Sequence, residues 1–359
     1  MKKRIKYTFI FTFIAINLMM IMAMIFCAYS SYISPHTHPN VSYFGMMFPG
    51  VLVLNVLFIP FWLIVKKRFA CIPIVGLLTC ASAIRAYCPI NFFVDEEGAD
   101  LKIVSYNVMA MGDSTKHNKP GENPIVLYLL EQDADIVCTQ ESWNLDHGTN
   151  FDTLRTVYPY IDLTTTYKNV MGILSKHPIL DITSLDKEEE DVRMRTIAYH
   201  IKVGEDTVLV LNNHFESFKL HDDEKENYEE IIYHPDNGDN EQKIDSLLRK
   251  VVGANSVRAL QVDWLANYVN NSKEKYIILC GDFNDTPISY THLRMTERLN
   301  DAYTRGGNGP GWSYNRNHMY FRIDNILVSE NIEACKAKVD DSISVSDHYP
   351  IISWLKLNK

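Results

Sequence analysis

Before Asp95 the 359-residue chain contains no Asp or Glu, and only eight of its 35 Lys and Arg. All 44 acids and the other 27 bases follow, so residues 95–359 carry a net charge of −17. An absence of acids over that length excludes an ordinary soluble domain and marks a boundary between a lipid-facing and a water-facing part. The cysteines at 27, 71, 80, 88, 138, 280 and 335 form no C-x-x-C and no Cys/His cluster, so neither a zinc site nor a disulfide framework is indicated. Cys138 and Cys280 lie inside apolar runs, where a thiol acts as a small hydrophobe. No internal repeat or low-complexity tract is present.

What fills the acid-free quarter is apolar. Residues 7–30 and 43–65 are uncharged and exceed the roughly 20 residues that cross a bilayer. The second run carries Pro49 and Pro60, which neighbouring helices accommodate in lipid. A third run, about 69–90, is shorter; Arg85 near its end would snorkel to the headgroups and let the run continue through Pro89, Phe92 and Phe93. The expectation is a membrane segment over 1–94 with about three transmembrane helices, followed by one large domain over 99–358. A cleaved signal peptide has a shorter apolar core and no further apolar runs behind it. A lipoprotein reading through Cys27 fails because Phe26 stands where a small residue is expected.

Lys2, Lys3, Arg4 and Lys6 precede the first run, Lys66, Lys67 and Arg68 lie between the second and third, and residues 31–42 have no Lys or Arg. Basic loops stay cytoplasmic, so three spans make a multi-pass protein with an extracytoplasmic domain, periplasmic in a Gram-negative source. Two spans would place the domain on the other side.

From Ala99 the sequence breaks into short apolar runs. Residues 101–108, 134–142, 170–179, 196–203, 207–215, 276–285, 321–329 and 349–357 read as strands, the fourth and fifth paired through a turn at Gly204–Asp206. Helical spacing marks Asn123–Gln132 and 244–269, the latter with a break expected near Gly253, and a polar acidic insertion spans about 216–240. Asn107, Glu141, His214, Asp282, Asn284, Asp324, Asp347 and His348 fall at or just beyond the ends of these runs, where a scaffold presents its chemistry. Taken singly, each has an ordinary explanation as a turn residue, a cap or a structural histidine. Together they suit a hard, oxygen-loving cation, Mg²⁺ or Mn²⁺, and a phosphate.

Their order adds more. SYN ending at Asn107, TQES around Glu141, SKHPI at 175–179, NNHFES around His214, GDFND at 281–285, RIDNILVS at 322–329 and SDHYPI at 346–351 resemble the endonuclease/exonuclease/phosphatase superfamily, across about residues 100–357. The resemblance implies an α/β fold, a four-layered α/β sandwich of two packed mixed sheets flanked by helices. It implies Glu141 as principal metal ligand with Asn107 beside it and Asp347 near the metal. Asp282 would orient or deprotonate the attacking water, and Asn284 would hold the phosphate. Asp324 would pair with His348 at the scissile phosphate, and His214 would bind or protonate a phosphate oxygen. The implied chemistry is in-line attack of water on phosphorus. The sequence departs from one branch of the superfamily: where deoxyribonucleases pair the equivalent of His214 with a Glu, residues 165–176 hold no acid, and Asn169 is the only short polar candidate. A phosphate-binding His214 fits that better than a general acid.

A net −17 is a poor match for long polynucleotides, whose binding draws on Lys and Arg. Membrane tethering favours lipid headgroups, with a small phosphodiester also open. A tethered nuclease is the alternative, and a catalytically inactive membrane-bound binding module the reading from another class. Residues 306–321, with Trp312, Tyr314, Tyr320 and Phe321 among glycines, read as a substrate-contact, interfacial or simply packed loop.

Overall fold

The computed structural model describes residues 2–112, 123–146, 148, 150–166, 169–186, 188–189, 192–219, 224, 231, 233, 240–316 and 319–358. Most of the expected acidic insertion lies outside the described residues.

Two helices in the acid-free quarter are long and apolar enough to cross a membrane, Arg4–Tyr32 and Pro39–Val65, with mean hydropathy 2.5 and 2.3. Their regular α-helical parts are α1 (Lys2–Tyr29) and α2 (Phe44–Val65), the latter holding both Pro49 and Pro60. At 1.5 Å per residue, 22 residues extend about 33 Å, enough for a hydrocarbon core of about 30 Å. The third run folds as α3 (Cys71–Thr79) and α4 (Ala81–Tyr87), bent by 67°, and makes a third span only if the pair is counted as one.

The helices α1 and α2 run antiparallel. Phe13 stacks on Phe61 at 4.8 Å, and the Trp62 indole donates to Asn17 Oδ1 at 3.0 Å. At the opposite end Met24, Cys27 and Phe48 pack together with Cys80 and with Ile288 of the large domain. The basic residues Lys66–Arg68 therefore sit at one end of the bundle and the domain at the other. Close approach sets the junction: a Cβ on Gly45 would lie 1.9 Å from the Ile288 carbonyl oxygen, so only glycine fits there. Arg85 turns toward the domain, donating to Asn91 Oδ1 at 3.1 Å and the Thr304 carbonyl at 3.3 Å. A cleft of about 300 Å³ remains along this junction, lined by Tyr32, Ser82, His292 and Arg305 among others.

The large domain is built on two six-stranded mixed sheets. In the first, β1 (Leu101–Asn107) is parallel to β2 (Ile136–Gln140) and antiparallel to β16 (Ile351–Leu357); β15 (Ile332–Val339), β4 (Asn169–Ser175) and β3 (Tyr160–Thr166) complete it. In the second, β10 (Tyr276–Asp282) is parallel to β9 (Asp206–His214) and antiparallel to β14 (Asp324–Val328); β8 (Thr196–Val203), β5 (Ile179–Ser184) and β11 (Asn300–Asp301) complete it. Alternation of side chains along each strand assigns the layers. Leu101 and Ile103 of β1, Val208 and Val210 of β9, and Tyr276 and Ile278 of β10 meet in the core between the sheets. Their neighbours Val104 and Tyr106 face Ile125 and Leu129 of α5 (Pro124–Gln132). Ile277 and Leu279 face Val262 and Leu265 of the helix Asn240–Asn271. The result is four layers: helix, sheet, sheet, helix. Cys138 and Cys280 are both buried in the inter-sheet core.

Two expectations are corrected. Residues 170–179 are not one strand: β4 ends at Ser175, the chain crosses between the sheets at Lys176–Pro178, and β5 starts at Ile179. Proline lacks the ladder N–H, and Pro178 stands at the crossing. The helix expected to break near Gly253 runs unbroken from Asn240 to Asn271, with Gly253 facing open space.

Candidate active site

Each inward-facing row of the sandwich runs out of apolar residues at the same end. In β1 the row is Leu101, Ile103, Ser105, Asn107; in β9, Val208, Val210, Asn212, His214; in β10, Tyr276, Ile278, Cys280, Asp282. Strand register places His214, Asp282 and Asp324 side by side across β9, β10 and β14, and Asn107 opposite Gln140 across β1 and β2. The C-terminal ends of the two parallel pairs thus meet at one mouth. Beneath it a polar tie joins the sheets, with Gln140 Nε2 donating to Asn212 Oδ1 at 2.8 Å and Asn212 Nδ2 to the Thr139 and Gly172 carbonyls.

Asp282 is the centre. Its Oδ2 accepts from Asn107 Nδ2 at 3.1 Å and faces His214 Nε2 at 3.6 Å and His348 Nε2 at 3.7 Å. Both imidazole separations exceed hydrogen-bond length, so each Nε2 remains able to serve a third group. Burial pushes the Asp282 carboxyl up to about 7; charged His348 opposes that rise, and neighbouring Asp324 adds to it.

The two histidines differ at their other nitrogen. His348 Nδ1 meets Asp324 Oδ2 at 2.8 Å. Burial alone would lower the His348 pKa, but the carboxylates of Asp324 and Asp282 raise it to about 10. Asp324 is held in turn by its backbone N–H, which donates to the Ser313 hydroxyl at 3.0 Å, and His348 by its own, which donates to the Ser346 hydroxyl at 3.1 Å. His214 Nδ1 meets the Asn169 amide at 2.5 Å. The Asn169 Oδ1 already accepts from Val170 N–H, so its NH₂ faces the ring and makes Nδ1 an acceptor. Burial first, then Arg195 and charged His348, lowers the His214 pKa to about 3. His214 is therefore a neutral ring with its proton on Nε2.

The remaining expected residues surround this centre. Glu141 follows β2 with φ +53, its carboxylate 3.4 Å from Asn107 Nδ2 and 4.0 Å from His214 Nε2, and burial raises its pKa. Asn284, at φ +51, donates its backbone N–H to Asp282 Oδ1 at 2.7 Å and its side-chain amide to the Phe215 carbonyl at 3.1 Å. Left-handed backbone at non-glycine residues is held only where the surroundings over-determine it, and it gathers at functional sites. Asp347 stands at the rim, its charge felt by both Glu141 and His348.

Asp282, Asp324 and His348 present ligand atoms within 4.8 Å of one another. A protonated imidazole does not ligate a cation, however, and His348 is held charged by the very carboxylates of that group. The carboxylates of Glu141 and Asp347 offer further oxygen atoms beside this group, while Asn107 turns its NH₂ toward Glu141 and Asp282 and its Oδ1 accepts from the Met109 N–H at 3.2 Å. Four carboxylates gather here, two of them with raised pKa, and Asp324 Oδ1 is buried without a partner, so the donor set suits a divalent cation.

Several contributors carried no signal as single residues. Arg195 bonds Glu216 at 2.8 Å, both buried beside His214. Arg258, fully buried, donates to the Glu216 carbonyl and lies 3.5 Å from Asp285. The Tyr314 ring lies edge-on to His348 at 5.3 Å. Of these, Glu216 lies in NNHFES and Tyr314 in the aromatic stretch 306–321, whereas the two arginines carry no signal in the sequence.

Paired sheets ending in clustered carboxylates, carboxamides and imidazoles define a phosphoric ester hydrolase. The chain belongs to the endonuclease/exonuclease/phosphatase family, whose profile matches residues 104–348. Residues 8–87 match a second family, described only as a domain of unknown function. None of the curated proteins matches the chain. Similar solved structures include truncated TDP2 of Caenorhabditis elegans, with 16% identity, TM-score 0.47, and coverage of 70% of this chain and 96% of that one. An AP endonuclease from Archaeoglobus fulgidus has 17% identity and TM-score 0.46, covering 70% and 98%. A mannosyl-6-phosphatase from Bacteroides thetaiotaomicron has 18% identity and TM-score 0.46, covering 71% and 99%.

Proposed function

We propose that the chain is a membrane-anchored, Mg²⁺- or Mn²⁺-dependent phosphoesterase that hydrolyses a lipid headgroup or small phosphodiester by in-line attack of water. The observation that carries this reading is Asp282 Oδ2 flanked by the Nε2 atoms of a charged and a neutral histidine, at 3.7 and 3.6 Å. Asp282, pushed to about 7, is poised to accept a proton from water. His348, held charged by Asp324, stabilises the negative charge that grows on the phosphoryl oxygens, and His214 donates its Nε2–H to one of them. Asn284 holds the phosphate. Glu141 would be the principal ligand of the metal, with Asn107 beside it and Asp347 near it, and the bound ion would offset phosphoryl charge and acidify water.

The separation of basic residues and domain at opposite ends of the helix bundle supports an extracytoplasmic site, with Lys66–Arg68 on the cytoplasmic side. This requires the bent pair α3–α4 to count as a span. The acidic balance of −17 disfavours long polynucleotides, although a nuclease is the second reading.

The test is hydrolysis of a nitrophenyl phosphodiester by the full chain, then of phospholipids, sphingomyelin and DNA. Chelator is expected to abolish turnover and Mg²⁺ or Mn²⁺ to restore it. Undiminished activity in excess chelator removes the metal from the mechanism, and DNA as the best substrate replaces the lipid reading with the nuclease.

A further inference from the structure

Within residues 306–321, expected as a loop, β12 (Tyr314–Arg316) pairs antiparallel with β13 (Met319–Phe321), and the segment that carries them belongs to two places at once. On one side it is bound to the active site. Tyr349 N–H donates to the Ser313 carbonyl at 2.6 Å, Asn315 N–H donates to the Asp347 carbonyl at 3.1 Å, and the Tyr314 ring lies against His348. On the other side Trp312 and Tyr320, their rings 5.4 Å apart, are 44% and 48% exposed.

A second exposed apolar group lies directly beyond the last apolar helix. Ile90, Phe92 and Phe93 are 64%, 85% and 99% exposed. Their segment is pinned to the chain that leads into β12: Asn91 N–H donates to Asn308 Oδ1 at 2.7 Å, its side chain donates to the Thr304 and Gly307 carbonyls, and Gly309 N–H donates to the Pro89 carbonyl at 2.9 Å. Apolar side chains left so open, on two segments tied together, mark a surface that something apolar covers.

Chain continuity identifies the cover. Ile90 follows Tyr87, the end of α4, by three residues, at most about 11 Å of extended chain. The junction with α1 and α2 fixes the domain at the same level. That is the depth at which aromatic rings settle, one face in acyl chains and one edge among headgroups. We propose that residues 90–93 and Trp312 with Tyr320 form an interfacial arm seated in the membrane that the chain itself spans. The arm presents the His348 side of the site to phosphodiester headgroups of lipids in that same bilayer. The substrate half of this inference rests on the phosphoesterase reading above; the seating does not.

The full chain reconstituted in vesicles of phosphatidylcholine and phosphatidylglycerol tests the seating. Acyl chains brominated near the headgroup are expected to quench wild-type emission more than that of Trp312→Phe, the difference being the signal of Trp312. A difference signal quenched only by aqueous iodide overturns the seating. So does cross-linking between copies of a Trp312→Cys variant without lipid quenching, which assigns the surface to a second copy. Turnover tests the substrate. In the double variant Trp312→Ser/Tyr320→Ser, the ratio of vesicle-lipid to soluble nitrophenyl diester hydrolysis is expected to fall about tenfold, the scale of losing two partly buried aromatic anchors. An unchanged ratio overturns presentation from the same bilayer. If the wild-type chain hydrolyses neither substrate, the phosphoesterase reading falls and the substrate half with it, while quenching still judges the seating.

Discussion

Two histidines stand on either side of Asp282 at almost equal distances, 3.6 and 3.7 Å, and their surroundings hold them in opposite charge states. Both are buried, and burial alone makes either ring neutral. The difference lies one atom away. A carboxylate on Nδ1 brings His348 to about 10, whereas a carboxamide on Nδ1 leaves His214 at about 3, with Arg195 and His348 adding to the effect of burial. One pocket therefore offers a fixed positive charge and a neutral donor from the same residue type, and what distinguishes them is Asp324 against Asn169.

The largest expected effect lies on the charged side. His348→Ala and Asp324→Asn are each expected to lower turnover by at least ~10²-fold, the scale of removing one electrostatic stabiliser from an active site. If the pair acts as one unit, the double variant is little worse than the more damaging single one. Effects that multiply in variants shown to be folded would separate the two residues and dissolve the pair. The folding check is necessary because Asp324 opens the buried strand β14 and has no solvent exposure.

A second, smaller effect tests the opposition directly through stability. The folded pKa of His348 is raised from 6.5 to about 10, so its contribution is fully present below pH 6.5 and is lost as pH rises through about 10. The folded pKa of His214 is depressed from 6.5 to about 3. Between those values the unfolded chain binds more protons, and stability is lost as pH falls from 6.5 toward 3. In thermal unfolding of metal-free protein, His348→Gln is expected to flatten the alkaline fall and His214→Gln the acid one. Identical changes in both variants would break the comparison.

Much of this site is legible in the sequence, for a physical reason. Strand alternation places every second residue in the core, so a polar residue that ends an inward row, such as Asn107, His214 or Asp282, stands out against its predecessors. The same rule gave the strands β1, β2, β8, β9, β10 and β16 nearly as they stand, because they are central or lie beside central strands. It was silent on the edge strands β3 and β15, where one flank is open to water and the pattern is mixed. It also ran β4 into β5, although Lys176, His177 and Pro178 interrupt the apolar run, because so short a polar break does not tell a crossing between sheets from an irregular strand. Arg195 and Arg258 were not legible at all, whereas Tyr314 was visible only as one aromatic of the stretch 306–321. A buried arginine is identified by its partners, here Glu216 and Asp285, and those meet it only after folding. The bend between α3 and α4 was equally hidden, for Cys80 is an ordinary apolar residue in sequence.

The smallest expected effect is the sharpest, because it changes one atom type and nothing in volume. In Asn169→Asp one oxygen can still accept from Val170 N–H while the other faces His214 Nδ1, the position Asp324 takes at His348. The new carboxylate favours a charged ring, opposed by burial and by the nearby charges of Arg195 and His348. Histidine resonances followed through pH are expected to show His214 titrating well above 3, while His348 stays protonated through neutrality. Turnover should change little with a nitrophenyl leaving group, which needs no proton. With an alkyl leaving group it should rise about threefold, well under the ~1.36 kcal/mol of barrier that a tenfold change represents. His214 remaining neutral at pH 5 in a folded variant would show that burial and Arg195 alone set its charge. The contrast between carboxylate and carboxamide would then explain His348 but not its counterpart.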